Sequence, residues 1–267
     1  MVAPITVIIP SRDRYRDLRR CLIALAECDG GLLHEVLVVD DGSRPRITDA
    51  VAVGDLPVRV LRNDRPMGAT PARAHAADHA RSPILAFLDD DALPRADWLT
   101  EIAAQLTPDR GAVTGRVLPF DAGLLSEARQ SRYLERYRGL GPGQRVTFFA
   151  GGNSAVWREH FLAARGTAVN VPGSDNDLVS GLSRLGLGVH FAPSMVIVHR
   201  NGKGLLRALR DAYGSGHHAR PLPVRDALRD MARPVPGSSP QVRLTNRMLN
   251  LVHLAGRSVP RSTRQHP

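Results

Sequence analysis

A chain of 267 residues, 43% of them hydrophobic, can bury one large core, or one core with an extension. No window approaches the roughly eighteen consecutive apolar residues of a membrane-spanning helix. The stretch from Met1 to Pro10 lacks the basic start and cleavage site of a signal peptide, so the expectation is a cytoplasmic protein. Residues 1–199 balance at 23 basic and 23 acidic, whereas residues 200–267 carry 13 basic and 3 acidic, so the whole net charge of +10 lies in the last quarter.

In chain order, residues 5–9 form a continuous β-branched run ending at Pro10, the pattern of a strand covered on both faces. Asp13 is placed to cap a helix whose apolar positions Leu18, Cys21, Leu22 and Leu25 recur at three and four. Residues 36–39 and 58–61 read as further buried strands. Residues 71–81 form an alanine-rich helix with proline in its first turn. Residues 84–88 are a fourth strand, followed by a helix from Pro94 to about Leu106. This alternation predicts a mainly parallel sheet with crossover helices.

The second half is less regular. Residues 113–118 and 146–149 read as strands around a polar helix at 124–138. A helix at 175–185 ends at Gly186, and residues 189–191 and 195–198 are short strands. Helices follow at 205–213 and 224–232, then a Pro/Gly/Ser linker at 233–240 and a closing helix at 242–255. Cys21 and Cys28, two helical turns or about 10 Å apart, are too distant for a disulfide and read as small core residues.

Acidic clusters fall where strands end: Asp40-Asp41-Gly42-Ser43 after the second, and Asp89-Asp90-Asp91 after the fourth. In an open parallel sheet, ligands bind outside the carboxyl ends of the strands. Adjacent carboxylates repel unless a cation or well-placed donors offset them, and hard oxygen ligands suit Mg²⁺ or Mn²⁺ shared with substrate phosphates; the alternative is an acidic turn capping a helix. Pro10-Ser11-Arg12-Asp13-Arg14 stands where a dinucleotide site needs a glycine-rich turn. No Walker motif exists, and the one lysine, Lys203, lies far downstream.

Val-Ile-Ile-Pro-Ser-Arg (7–12), Val-Val-Asp-Asp-Gly-Ser (38–43), Gly68 with Ala72-Arg73, and Leu-Asp-Asp-Asp (88–91) leading to Trp98-Leu99 together resemble the nucleotide-binding half of family 2 glycosyltransferases. Gly151-Gly152-Asn153-Ser154-Ala155 is similar to that family's segment beneath the donor sugar. Gly173-Ser174-Asp175-Asn176-Asp177-Leu178 resembles its Gly-Glu-Asp-x-Asp-Leu motif, with Ser174 where glutamate is usual. The resemblance spans about residues 4–215.

The resemblance implies a GT-A fold, with a catalytic domain at 1–220 (a nucleotide-binding half at 1–118, an acceptor half at 119–220) and a basic helical extension at 221–267. It implies an inverting, Mn²⁺- or Mg²⁺-dependent transfer from a nucleoside-diphosphate sugar, of UDP or dTDP type, to a glycan, lipid-linked or natural-product acceptor. Pro10, Ser11, Arg12, Asp41 and Arg73 would line the nucleotide pocket, with Asp89 or Asp90 on the ribose. Asp91 and His199 would hold the metal, and Asp175 would be the general base. Gly151, Gly152, Asn153 and Trp157 would face the sugars, although Trp157 reads equally as core. Arg200 and Lys203 would close over the diphosphate, or form a solvated basic loop. His199 could also be an ordinary strand-end histidine, and Asp175 a helix cap.

Two other readings are weighed. A nucleotidyltransferase would carry a glycine-rich first loop and a downstream lysine, both absent; a non-catalytic sugar-nucleotide-binding protein would not hydrolyse donor. The basic tail lacks the aromatic interleaving of a nucleic-acid binder. Its closing helix places Leu244, Met248, Leu251 and Ala255 on one face beside Arg243 and Arg247. That pattern predicts either a helix lying on an anionic membrane or a stripe packed back on the catalytic domain.

Overall fold

The structure, a computed structural model, describes residues 3–28, 30–48, 51–166, 175–201, 204–218, 225–226, 229 and 236–258. The chain divides into two compact units: Met1–Leu118 with Gly139–His199, and Pro119–Arg138 with Arg200–Pro267.

The first unit begins with β1 (Ile5–Ser11), buried along its whole length, and α1 (Tyr15–Ala26), which turns Leu18, Cys21, Leu22 and Leu25 inward. Asp13 does not cap this helix: Arg14 holds the cap position without a side-chain bond. Asp13 adopts a φ of 56° and accepts the Arg44 amide instead, tying the helix entry to the loop after the next strand. Then come β2 (Leu33–Asp40), β3 (Val58–Arg62), α2 (Ala69–His79) and β4 (Ile84–Leu88). The three-residue β5 (Ala92–Pro94) occupies the place where a helix was expected to open. Pro94 closes this strand, and α3 (Trp98–Gln105) starts four residues later.

After β6 (Ala112–Pro119) the chain enters the second unit as α4 (Leu124–Tyr137). It returns as β7 (Arg145–Val146), β8 (Asn153–Trp157), α5 (Arg158–Gly166), α6 (Asp175–Arg184) and β9 (Val189–His199). The two short strands expected around Pro193 are one. Pro193 lies between the stretch of β9 that pairs with β7 and the stretch that pairs with β5, so it interrupts neither of these two ladders. The second unit continues with α7 (Leu205–His218) and α8 (Pro240–Ser258). Of the helix expected at 224–232, Arg225, Asp226 and Arg229 are helical, and the other residues lie outside those described.

The nine-stranded sheet runs β3-β2-β1-β4-β8-β6-β9-β5, with β7 paired to β9. The first four strands are parallel, as the alternation predicts. Beyond β4 the observed pairings of β8 with β4 and β6, and of β9 with β5 and β7, are antiparallel. The parallel half therefore places the ends of β1, β2, β3 and β4 along one edge. Among the described residues no helix is long and apolar enough to cross a membrane.

In the second unit α8 packs against α7 and α4. Its buried residues are Val242, Thr245, Asn246, Leu249 and Gly256. The expected stripe is not the packed face: Leu244 is 70% exposed and Leu251 43%. A buried polar pair explains the rotation. Asn246, fully buried, accepts Arg132 Nε at 2.6 Å and donates to Ser131 Oγ and the Pro236 carbonyl, so this face is selected by hydrogen bonds that an apolar count does not register.

Candidate active site

Four loops meet at the carboxyl edge of the parallel strands. Ser11, the last residue of β1, donates its hydroxyl to Asp90 Oδ2 at 2.7 Å. Asp40 ends β2 fully buried, accepting the Ser43 and Ile47 amides and paired with Arg62, so it braces its own loop. Asp41 accepts Asn63 Nδ2 at 2.7 Å and the Met67 and Gly68 amides at 2.9 and 2.8 Å. This carboxylate thus shapes the 63–68 loop that leads into α2.

Asp89, Asp90 and Asp91 follow β4 directly. Arg73 on α2 donates to Asp89 Oδ1 at 2.7 Å. Arg14, at the mouth of α1, donates to Asp90 Oδ1 and Asp91 Oδ2 at 2.7 Å each and to Asp17 Oδ2 at 3.0 Å. Arg14 and Arg73 therefore bridge four carboxylates. Burial alone would lower the Arg14 pKa, but Asp90, Asp91 and Asp17 outweigh it and raise it. Burial pushes Asp90 up to about 7 against the pull of Arg14 and Ser11, with Asp91 and Asp89 adding to the rise.

His199 reaches this cluster through strand register. β5 begins immediately after the aspartates and pairs Ala92 with His199, so the imidazole Nε2 lies 3.0 Å from Asp91 Oδ1. One donor atom each from Asp89, Asp91 and His199 lies within 4.8 Å of the others. Two carboxylates and an imidazole form a donor set for Mn²⁺ or Mg²⁺. The surplus of carboxylate over guanidinium is the repulsion that a cation offsets.

β8 runs antiparallel to β4 with Leu88 opposite Asn153 and Ile84 opposite Trp157. Gly152 consequently abuts Asp89: a Cβ at this position would overlap the Asp89 carboxylate. Gly151 is buried beside it. The same register separates the other two residues expected to face the sugars. Asn153 is fully buried, and its amide is engaged by Trp98 Nε1 and by the Arg116 and Met195 carbonyls, which makes it a brace between strands. Trp157 stands at the far end of β8, level with the start of β4, and donates to the Thr107 carbonyl.

Of the remaining expected residues, Pro10 is buried within β1 and Arg12 is exposed beside Asp13. Asp175 is the first residue of α6; its side chain, with Gly173 and Ser174, lies outside the described residues. Lys203 also lies outside them, and Arg200 is exposed where the chain re-enters the second unit. The sequence reading gave no role to Arg14, Asn63 or Trp98. An arginine facing three consecutive aspartates was the available signal for the first; the other two show only once the loops are folded.

Residues 6–163, more than half of the chain, match the family described as Glycosyl transferase family 2. The chain belongs to that family. It is 27% identical over 233 residues to a pre-mycofactocin glycosyltransferase of Mycobacterium tuberculosis, covering 83% of this chain and 48% of that protein. It is 30% identical over 117 residues to human polypeptide N-acetylgalactosaminyltransferase 16, covering 42% of this chain and 21% of the relative. The chain thus spans about half the length, or less, of these relatives.

Solved structures confirm the GT-A fold. A mannosyltransferase of Pyrobaculum calidifontis, in complex with GDP-Man and Mn²⁺, superposes with a TM-score of 0.60 at 22% identity, covering 96% of this chain and 73% of that one. GalNAc-T7 with UDP, GalNAc and Mn²⁺ gives 0.57 at 18% identity, covering 74% and 43%. The family 2 match covers all the loops at the carboxyl edge except the one that carries His199.

Proposed function

We propose that this family 2 chain is a metal-dependent inverting glycosyltransferase that moves a sugar from a nucleoside-diphosphate sugar to an acceptor hydroxyl. The observation that carries the reading is the cluster of Asp89, Asp91 and His199 at the carboxyl edge, where a nucleotide's phosphates meet the sheet. A divalent cation held by these three would supply positive charge to the departing diphosphate. Ser11 and Arg14 orient Asp90 and Asp91, and Arg73 orients Asp89. Gly152 leaves the room that the Asp89 carboxylate occupies.

In the proposed reaction Asp175 takes the proton of the acceptor hydroxyl as its oxygen bonds to the anomeric carbon. The bond from that carbon to the phosphate oxygen breaks, and the nucleoside diphosphate leaves with the electron pair. One carboxylate base suffices because no glycosyl–enzyme bond forms. Arg200 and Lys203 are assigned to the diphosphate, and Pro10, Arg12 and Asp41 to the nucleoside.

The test is Asp175→Asn, assayed with UDP-, dTDP- and GDP-sugars and with pre-mycofactocin among the acceptors. Transfer falls by about 10²–10⁴ while donor affinity holds. Near wild-type turnover would remove Asp175 from the mechanism. Absence of both transfer and donor hydrolysis in the unaltered chain with Mn²⁺ would overturn the enzymatic reading.

Contact of the second unit with a membrane surface is the finer part of this proposal. Leu244 and Leu251 are exposed on α8 together with Arg243 and Arg247, apolar and basic groups that suit an anionic bilayer.

A further inference from the structure

The second unit contains a cleft of about 400 Å³ that the proposed chemistry does not use. It lies wholly among α4, α7, α8 and Asn201. Arg129, Arg132, Tyr133 and Arg136 line one side, on a single face of α4 at spacings of three, four and seven. Between packed helices that face is ordinarily apolar. Here it presents three guanidiniums, and the one carboxylate in the lining is Asp211, across the cleft on α7.

Arg132 is the best defined of the three. Its guanidinium is held by Asn246 Oδ1 at 2.6 Å, Asn250 Oδ1 at 2.7 Å and the Asn246 carbonyl at 3.2 Å, all neutral acceptors on α8. Burial, and then the neighbouring charge of Arg129, holds its pKa below the ordinary guanidinium value. Arg132 is half-buried, and withdrawing a cation from water without a counter-charge carries a cost. This one is fixed in place by amides and faces a cavity that a second and a third arginine also face. A cavity of this size suits a small organic ligand, and guanidiniums lining one cleft can recognise phosphate by paired, charge-assisted hydrogen bonds.

We propose that the cleft between α4, α7 and α8 is a binding site for a phosphomonoester, with Arg129, Arg132 and Arg136 on the phosphate and Tyr133 and His253 flanking the organic part. The site is separate from the cluster of Asp89, Asp91 and His199 and does not depend on the activity proposed above. Its ligand is either a soluble phosphorylated molecule or a lipid headgroup bearing the same group.

Glycerol phosphate, titrated calorimetrically into the full chain with chelator present, is the first probe. Binding is expected in the unaltered chain and in Asp91→Ala. It is expected to weaken at least about tenfold in Arg129→Gln and in Arg136→Gln, each of which removes charged hydrogen bonds. These two positions are chosen because Arg132→Gln would also break the contacts with Asn246 and Asn250. Circular dichroism confirms that the variants fold. The second arm is co-sedimentation with vesicles of phosphatidic acid, a monoester, against phosphatidylglycerol, a diester of like charge. Preference for phosphatidic acid, lost in Arg129→Gln, assigns the lipid source; glycerol phosphate binding without that preference assigns the soluble one. The proposal is overturned if neither probe binds more tightly than about 10 mM, if folded arginine variants bind as the unaltered chain does, or if Asp91→Ala abolishes binding.

Discussion

Substituting Gly152 by alanine separates the catalytic role of the carboxyl edge from its structural role. The added Cβ would lie 3.0 Å from Asp89 Oδ1 and closer still to Oδ2 and Cγ. Relief of that overlap requires a carboxylate movement on the order of 1 Å. Asp89 can move, because its side chain is 37% exposed. Such a shift carries the 2.7 Å bond to Arg73 beyond hydrogen-bond range unless Arg73 follows. The Arg73 side chain is buried and that of Asp89 is 37% exposed, so with Arg73 following the carboxylate the pair loses about 1 kcal/mol, and the melting temperature falls by about 2–4 °C. The effect on the cation is larger. Donor atoms about 2.1 Å from a metal are about 3 Å apart, and the present set, spread over as much as 4.8 Å, must close to reach that. A methyl group that drives Asp89 away from its place should cost about 10–100-fold in Mn²⁺ affinity, the range for misplaced ligand shells. Calorimetric Mn²⁺ titration with and without donor measures this beside a thermal melt. Gly115→Ala is the control: its Cβ would strike the Met195 carbonyl, which is backbone, and approach Asn153 Nδ2 to 2.5 Å. Overpacking of this kind costs about 1–3 kcal/mol, lost mainly as stability. Wild-type Mn²⁺ affinity in Gly152→Ala would refute the place given to Asp89.

Chelation is expected to silence transfer and added Mn²⁺ to restore it, with Asp91→Ala failing to recover at saturating metal and His199→Ala recovering in part. Full activity in excess chelator would refute the metal-dependent reading. Arg14→Met removes the guanidinium that Asp90 and Asp91 share in a buried setting, a loss of about 3–5 kcal/mol. A thermal melt should show that loss in chelator and a smaller one in Mn²⁺, where a cation takes over part of the neutralisation; equal losses in both would refute it. Leu244→Asp with Leu251→Asp should leave the melting temperature within about 2 °C, since both side chains point outward. The pair should abolish any salt-sensitive sedimentation of the full chain on anionic vesicles; retention of binding would separate the membrane contact from α8.

The parallel half was legible because β1, β4 and all but the first two residues of β2 are buried on both faces, whereas the edge strand β3 is half-buried throughout. β1, β2 and β4 appear in the sequence as unbroken apolar runs, and their acidic punctuation marks the edge where they end. β8 escaped because Asn153-Ser154-Ala155-Val156-Trp157 reads as a glycine-led loop. It is a strand because Asn153 and Ser154 satisfy their polar groups across it, with Ser154 Oγ bonded to Thr114 and the Ala150 carbonyl. β5 is three residues long and owes its existence to β9, an element more than a hundred residues later. No local propensity announces such a strand.

The site divides along the same line. Asp89, Asp90, Asp91, Ser11 and Arg73 follow from motifs because each stands on or next to an element whose position its own sequence dictates. Arg14, the residue that ties two of those aspartates to α1, depends on a helix entry held by Asp13 and Ser43, a contact thirty residues apart. Asn153 carries the opposite lesson. Its place in a glycine-asparagine motif pointed to a ligand, yet its three amide bonds, to Trp98, Arg116 and Met195, join three strands and α3. A buried amide with all its hydrogen-bonding groups used within the protein costs little to bury and much to disturb. In this residue the motif is therefore a brace that joins β8 to β6, β9 and α3 beside Gly152.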